Sequence, residues 1–205
     1  RNMDRLTELL DKNQGLIIFS AHFGNWELIP FILSRHFEQS IHSIARKMDN
    51  PLIEKVVGEF RAYMGSEIIY KDKAGRSILK LLEEKKILFM LVDQNTISRE
   101  GVVVEFFGKR VSAVTSVAQL HLKKKIPVIP IFVQYGSDAV EIDVQEEVRF
   151  EPGPDHQENI QQLTQKYIHI IEDNIRRNPN QWFWFHNRWK SAMEYENNEK
   201  RQSDG

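Results

Sequence analysis

The stretch "FSAHFGNWELIP", residues 19–30, joins an apolar run to a predicted helix start. The run "LIIFS", residues 16–20, is short, apolar and contains β-branched residues, which predicts a buried strand. Gly24 and Asn25 favour a turn directly after it, and Asn25 is also a candidate cap for the helix. This stretch therefore predicts a strand, a tight turn and a helix.

The same alternation of strands and helices continues along the chain, and it predicts an α/β fold with a mostly parallel central sheet flanked by helices. Pro130 lies within one predicted strand and indicates an edge position or an irregularity there. We expect one domain over residues 1–190 and a polar tail over residues 191–205. Asn50 followed by Pro51 predicts a cap with proline at the first helical position, and Asp72 is a candidate cap of the next helix. Further strands are predicted at 41–46, 67–70, 87–92, 101–108 and 127–134, with an antiparallel extension at 139–144 and 147–150, and helices near 3–10, 25–36, 51–64, 72–82, 114–121 and 160–175.

Composition excludes several classes of function. The 205 residues carry a net charge of −1, which gives no sign of nucleic-acid binding. The absence of cysteine excludes disulfides, thiolate metal sites and cysteine nucleophiles. No apolar run reaches the roughly 18 to 20 residues that a spanning helix needs.

Three polar residues follow predicted strands directly: His22, Arg46 and Asp93. Ligands of open α/β sheets bind beyond the carboxyl ends of the strands. We therefore expect these three side chains to lie at one edge of the sheet.

His22 and Glu27 flank the first predicted turn, and two interpretations of the pair are open. In the first, the imidazole takes a proton from a hydroxyl while the carboxylate fixes its tautomer. In the second, His22 is a buried hydrogen-bonded histidine and Glu27 an ordinary first-turn acid. No convincing third metal ligand accompanies the pair, and the chain lacks G-x-S-x-G, P-loop and G-x-G-x-x-G motifs. A catalytic His22 would activate the substrate's own hydroxyl.

Four blocks of the sequence together resemble the lipid A biosynthesis acyltransferases, within the lysophospholipid and glycerolipid acyltransferase superfamily. "AHFGNWE" fits the H-x-x-x-x-[D/E] motif of that superfamily, and "NPNQWFWFHNRWK" is similar to the closing signature of the lipid A branch. The resemblance covers almost the whole chain. The other two matching blocks are "ARKMDNPLIEKVVGEFR", residues 45–61, and "VDQNTISREGVVVEFFGKRVSAVTSVAQLHLKKKIPVIPIF", residues 92–132.

The resemblance implies transfer of a fatty acyl group from an acyl carrier protein thioester to a hydroxyl of a lipid A precursor, without a cofactor or metal. It makes His22 the general base, Glu27 its partner and Arg46 the first candidate to stabilise the oxyanion. Arg61 is the weaker choice, as a possible exposed helix arginine.

The resemblance also implies a set of substrate-binding residues. Asp93 and Gln94 would shape the acceptor side or hold Arg46, and Phe107 with Gly108 would line an acyl channel or simply pack and close a turn. Ser112 would cap a helix or meet a sugar or phosphate, and Arg188 would lie at a membrane interface. The full set is Asn25, Arg61, Asp93, Gln94, Phe107, Gly108, Ser112 and Arg188.

The implied location is the cytoplasmic side of the cell inner membrane, and acyl carrier protein is the implied donor partner. The family usually carries a hydrophobic N-terminal segment that this sequence lacks, so we expect peripheral attachment or an anchor outside this sequence. Three alternatives stay open: acylation of another glycolipid or a lysophospholipid from acyl-coenzyme A, a thioesterase, and an inactive membrane-associated binding protein.

Overall fold

The computed structural model describes residues 1–12, 14–71, 74–96, 101–136, 138–192 and 195. The chain forms two compact units, one of Arg1–Leu91 with Ile126–Val148 and one of Val92–Lys125 with the described residues from Arg149 onward. The first contains the central sheet, and the described part of the second contains a β-hairpin, two α-helices and the short 3-10 helix Pro179–Gln181.

The strands of the first unit are β1 Leu16–Ser20, β2 Ile41–Ala45, β3 Ser66–Tyr70, β4 Ile87–Leu91, β7 Val128–Tyr135 and β8 Val140–Val144. They form one six-stranded sheet in the order β3-β2-β4-β1-β7-β8. All neighbouring strands are parallel except β7 and β8, which are antiparallel. Every residue of β1 is buried, as expected for a parallel strand covered on both faces. The predicted α/β fold with a mostly parallel sheet flanked by helices is confirmed. The predicted antiparallel extension is limited to β8: residues 147–150 form no strand, although Val148 donates its amide to the carbonyl of Val128.

Helices α1 Asp4–Asp11, α2 Leu28–Phe37, α3 Pro51–Tyr63 and α4 Ala74–Glu83 complete the first unit. Helix α2 packs against β2 and β7, and α4 packs against β4. Helix α3 begins as predicted, because the side chain of Asn50 accepts from the amides of Leu52 and Ile53 and Pro51 takes the first helical position. Helix α2 begins at Leu28, three residues after the predicted start at residue 25. The predicted helix cap Asp72 lies outside the described residues.

Pro130 lies in β7, which is an interior strand, so the predicted edge position is wrong. The alternative prediction, an irregularity at this residue, agrees with the pairing of β7. β7 pairs with β1 over Val128–Pro130, and its pairing with β8 begins at Ile131. The strand changes its partner at the residue that has no amide hydrogen to donate.

The second unit contains the antiparallel hairpin β5 Gly101–Phe106 and β6 Lys109–Val114. Phe107 and Gly108 form its two-residue turn with φ angles of 51° and 72°, the pattern of a type I′ turn. Helix α5 spans Ser116–Lys124, and helix α6 spans His156–Arg177 and packs against both β5 and α5.

The sequence-based boundaries in this unit are partly wrong. Val114, expected in a helix, ends β6. Helix α6 begins before residue 160, because Asp155 accepts from the amide of Glu158 and caps it. Ser191 and Ala192 of the predicted tail are buried. The domain boundary at residue 190 stays a prediction.

Candidate active site

The turn between β1 and α2 requires glycine at position 24. Gly24 has a φ of +56°, and a Cβ atom added there would lie 1.8 Å from the carbonyl oxygen of Val133. Directly before this glycine the chain is fixed by packing, since the Phe23 ring is buried and makes an edge contact with Phe132, with ring centroids 6.1 Å apart. The backbone between His22 and Glu27 is therefore tightly constrained.

His22 follows this buried strand and is itself half-buried. Its ring makes an edge contact with the indole of Trp26, with centroids 4.9 Å apart. The predicted position of a histidine just beyond the carboxyl end of a central parallel strand is thus found in the structure. Asn25, the predicted cap of α2, instead accepts the amide of Leu28 through its backbone carbonyl.

Glu27 forms a bidentate ion pair with Arg61 of α3. The Arg61 Nε donates to Glu27 Oε2 at 3.0 Å, and Nη2 donates to Oε1 at 2.5 Å. About a quarter of the Arg61 side chain and a third of the Glu27 side chain are exposed. The hydrogen bond to Glu27 is the main cause that raises the pKa of Arg61. The expectation of an exposed helix arginine is wrong, because Arg61 faces the motif carboxylate.

Glu54, a second carboxylate, belongs to α3 itself and lies on the same side of the helix as Arg61. Glu54 accepts from the hydroxyl of Tyr70 and from the amide of Met48, and these two bonds lower its pKa. Its negative charge also contributes to the raised pKa of Arg61. The protein-facing side of α3 is therefore charged and hydrogen-bonded.

Arg46, the preferred candidate for the oxyanion, has a side chain that is 76% exposed. Its Nη2 donates to Asp49 Oδ1 at 2.8 Å, which is an ion pair at the end of β2. The structure gives Arg46 and Arg61 different environments, and Arg61 is the one that contacts the H-x-x-x-x-E motif. The oxyanion role of Arg46 stays a prediction.

The second unit contains a buried polar cluster of Asp93, Trp182 and Arg188. The indole Nε1 of Trp182 donates to Asp93 Oδ2 at 2.9 Å, and both residues are buried. Arg188 is fully buried, donates from Nη1 to the carbonyl of Ser112 at 2.7 Å, and lies over the ring of Phe106.

Burial lowers the pKa of Arg188 to about 10, and the charge of Asp93 opposes this shift. The guanidinium therefore stays protonated at neutral pH. Its Nε and Nη2 atoms have no hydrogen-bond partner within the described part of the chain. The expectation that Arg188 lies at a membrane interface is wrong, because no part of this side chain reaches the surface.

The remaining predicted substrate residues of this unit have mixed positions. Gln94 is exposed, whereas Ser112 is fully buried in β6 and does not cap a helix. Ser112 donates its amide to the hydroxyl of Ser191 at 2.8 Å. Phe107 and Gly108 close the hairpin turn, and the guanidinium of Arg176 lies 4.6 Å from the Phe107 ring centroid. Substrate contacts of these residues stay predictions.

Two further observations bear on ligands and membranes. The His, Asp and Glu side chains of the described residues include no group of three or more that is placed to hold a metal ion. None of the helices in the described ranges combines the length and apolar character that crossing a membrane requires.

The strand-end histidine, its constrained glycine turn and the ion-paired glutamate belong to a recognisable sequence family. Residues 1–191 match the family of bacterial lipid A biosynthesis acyltransferases. The chain belongs to this family, so the predicted resemblance is confirmed.

A curated relative is the phosphatidylinositol mannoside acyltransferase of Mycolicibacterium smegmatis. It is 22% identical over 191 residues, which cover 92% of this chain and 61% of the relative. The chain thus spans about three fifths of the length of this relative.

Proposed function

We propose that this protein transfers a fatty acyl group from an acyl carrier protein thioester to a hydroxyl of a lipid A precursor. The observation that carries the proposal is the position of His22 and Glu27 on the constrained turn after β1, in a chain that belongs to the lipid A acyltransferase family. The exposed fraction of Glu27 and the half-buried state of His22 leave both groups accessible to a substrate.

In the proposed reaction, His22 accepts the proton of the acceptor hydroxyl. The oxygen attacks the thioester carbonyl carbon, and an oxyanion forms that needs positive charge or hydrogen-bond donors nearby. The carbon–sulfur bond then breaks, and the leaving thiolate takes the proton from the imidazolium. Glu27 supports the positive charge of His22, and Arg46 is the proposed oxyanion partner.

A second acceptor class is favoured by the named relative. That protein is a phosphatidylinositol mannoside acyltransferase, so it acts on a glycolipid other than lipid A. A glycolipid of another kind, with acyl-coenzyme A as donor, is therefore the alternative for this chain. The two hypotheses share the same step at His22 and differ in the donor and acceptor that they require.

Exposed positive charge on the second unit supports the proposed donor partner, and membership of the acyltransferase family supports the proposed location. Acyl carrier protein is acidic, and Lys109, Arg110, Lys123 and Lys125 are exposed cations of the second unit that would meet such a partner. We place the protein at the cytoplasmic face of the inner membrane, where a lipid acceptor would be available.

Mass spectrometry of lipids tests the proposal directly. Cells with and without the gene are compared, and the expected result is a lipid A species that lacks one acyl chain of defined length when the gene is absent. Purified protein is then assayed with acyl carrier protein thioester and with acyl-coenzyme A. An unchanged lipid A profile with a missing chain on another glycolipid would favour the alternative, and release of fatty acid without any acceptor would indicate a thioesterase.

A further inference from the structure

Helix α3 has its apolar residues on the outside. Of its large apolar side chains, five are half or more exposed and repeat at helical spacing, so they form one stripe along the helix. We call this set the α3 stripe. Its members and exposed fractions are Leu52 74%, Ile53 50%, Val56 65%, Phe60 51% and Tyr63 75%.

Two of the four charged residues of the same helix, Glu54 and Arg61, are turned the other way, whereas Lys55 and Glu59 are exposed beside the stripe. Arg61 binds Glu27, and Glu54 binds the hydroxyl of Tyr70 and the amide of Met48. Glu54 and Arg61 are seven residues apart, which is two helical turns, so they share the inward side. Amphipathic helices of water-exposed surfaces have the opposite arrangement, with apolar side chains inward and charges outward. The surroundings that suit the outward side of α3 are therefore apolar.

The geometry points to a lipid surface as the occupant of the α3 stripe, an inference that rests on the proposed action on a lipid acceptor. A helix of 13 residues, about 20 Å long, would lie in the plane of the interface with its apolar side in the acyl boundary. Tyr63 at its end and the exposed Tyr70 nearby are residues that favour the level of the lipid headgroups.

Charges around the stripe are complementary to an anionic lipid surface. The exposed Lys47 precedes the exposed apolar Met48, and the exposed Lys71 follows Tyr70. Three acids also lie on this helix and its approach. Asp49 is paired with Arg46 at 2.8 Å and Glu59 with Lys55 at 3.9 Å, whereas Glu54 accepts from the Tyr70 hydroxyl and the Met48 amide. Lys47 and Lys71 outnumber Glu54, so the net charge beside the stripe is positive, which favours phosphate-bearing headgroups.

The proposed docking also fits the position of the motif. Helix α3 presents the stripe on one side and holds Glu27 through Arg61 on the other. A protein that rests on this stripe would hold the H-x-x-x-x-E carboxylate about one helix diameter, roughly 10 Å, from the lipid. An acceptor hydroxyl on an acyl chain would then need to leave the membrane by only a short distance.

The experiment uses the natural absence of cysteine, because any introduced cysteine is the single labelling site. An environment-sensitive fluorophore is attached in the variants Val56→Cys, Phe60→Cys, Lys55→Cys and Val140→Cys. Vesicles of phosphatidylcholine, with and without phosphatidylglycerol, are then added. We expect a blue shift and quenching by brominated lipid chains at positions 56 and 60, stronger with phosphatidylglycerol, and little change at positions 55 and 140.

A charge substitution tests whether the stripe is needed for binding. Val56→Glu with Phe60→Glu is expected to lower the vesicle partition coefficient about tenfold or more, given the apolar area that each side chain would bury. Val140→Glu is the matched control, because Val140 is also exposed but lies on β8. Its partition coefficient should stay within about twofold of the parent protein, since no lipid contact is expected there.

Several results would overturn the inference. These are equal fluorescence changes at positions 55 and 56, vesicle binding that survives the double substitution, and no binding to any vesicle. A lipid-free dimer that the double substitution converts to a monomer would assign the stripe to a second copy. A label at position 56 that is already shielded in buffer, in the protein at its full natural length, would assign it to another segment of the same chain.

Acyl transfer separates failure of the docking surface from failure of the proposed function. With the acceptor dispersed in detergent micelles, the double variant should keep its activity, and with the acceptor in vesicles it should lose most of it. Equal activity of the double variant in micelles and in vesicles would contradict lipid docking through the α3 stripe without contradicting the proposed acyl transfer. Vesicle insertion without any acyl transfer would contradict the proposed function without contradicting the docking surface.

Discussion

Arg61 and Arg188 have opposite environments in the two compact units, although both are arginines. Arg61 is partly exposed and meets both oxygens of Glu27. Arg188 is fully buried, and its guanidinium donates to the backbone carbonyl of Ser112 and lies over the ring of Phe106. The first arginine is bound to a motif residue at an accessible turn, and the second is packed into the interior of its unit.

We expect this difference to separate the groups that serve the proposed chemistry from those that serve the fold. A partly exposed ion pair contributes little to stability, about 1 kcal/mol or less, but it leaves the carboxylate reachable. A buried charge that loses its surroundings costs several kcal/mol, about 3 to 5, because the remaining polar groups stay desolvated. We therefore expect substitutions at the turn to change activity, and substitutions around Arg188 to change stability.

The largest effect on activity is expected from His22→Ala. General base catalysis contributes about 10² to 10⁴-fold, so acyl transfer should fall by that factor. The half-buried ring contacts Trp26 at a surface turn, so the thermal midpoint should change by no more than about 3 °C. Steady-state transfer and thermal unfolding measure the two quantities. Full activity in this variant would contradict the expectation that substitutions at the turn change activity.

Arg188→Ala should have the largest effect on stability, a loss of about 3 to 5 kcal/mol. The substitution leaves the carbonyl of Ser112 without its donor and removes the positive charge near Asp93. Urea unfolding gives the free energy, with Arg188→Lys as a variant that keeps the charge and should lose less. If Arg188→Ala instead unfolds like the parent and loses only activity, Arg188 belongs to the site rather than to the fold.

Gly24→Ala is expected to destabilise the first unit by about 2 to 4 kcal/mol, because the positive φ and the nearby carbonyl of Val133 leave no space for a methyl group. The matched control is Gly58→Ala in α3, where nothing lies within 4 Å of the added atom. Alanine there should stabilise by up to about 1 kcal/mol. Equal stability of the two variants, measured by urea unfolding, would contradict the constrained turn.

Arg61→Ala should have the smallest effect on stability, about 1 kcal/mol or less, since the ion pair is partly exposed. Turnover should fall about tenfold, as expected for the loss of one charge-assisted interaction. Arg61→Lys keeps the charge but loses the two-pronged contact, so partial recovery of turnover would show that geometry matters. A change in KM alone would indicate that Arg61 contacts substrate and does not act through Glu27.

The sequence predicted the elements that depend on local patterns. The buried strand "LIIFS" and the Asn50-Pro51 helix start were correct, because an apolar run and a cap with proline specify structure within a few residues. The histidine at the end of β1 was predicted for the same reason. These features require no knowledge of distant neighbours.

The partners of the arginines depend on tertiary structure, which local sequence patterns do not specify. Glu27 and Arg61 are 34 residues apart and meet only because the fold brings the Arg61 side of α3 against Glu27. Arg188 lies in an aromatic and cationic sequence that suits an interface, yet its burial follows from contacts with Ser112, 76 residues away. A signal was present for α3, since Glu54 and Arg61 have the spacing of one helical side, opposite to the apolar residues.

Pro130 divides β7 into two parts that belong to different neighbours. The amide of Ile129 lies in the section paired with β1, and the amide of Phe132 lies in the section paired with β8. Opening of the edge hairpin would expose the second section to solvent while the first stays closed. Hydrogen–deuterium exchange along this single strand would therefore show two protection levels, with the step at a residue that carries no exchangeable proton.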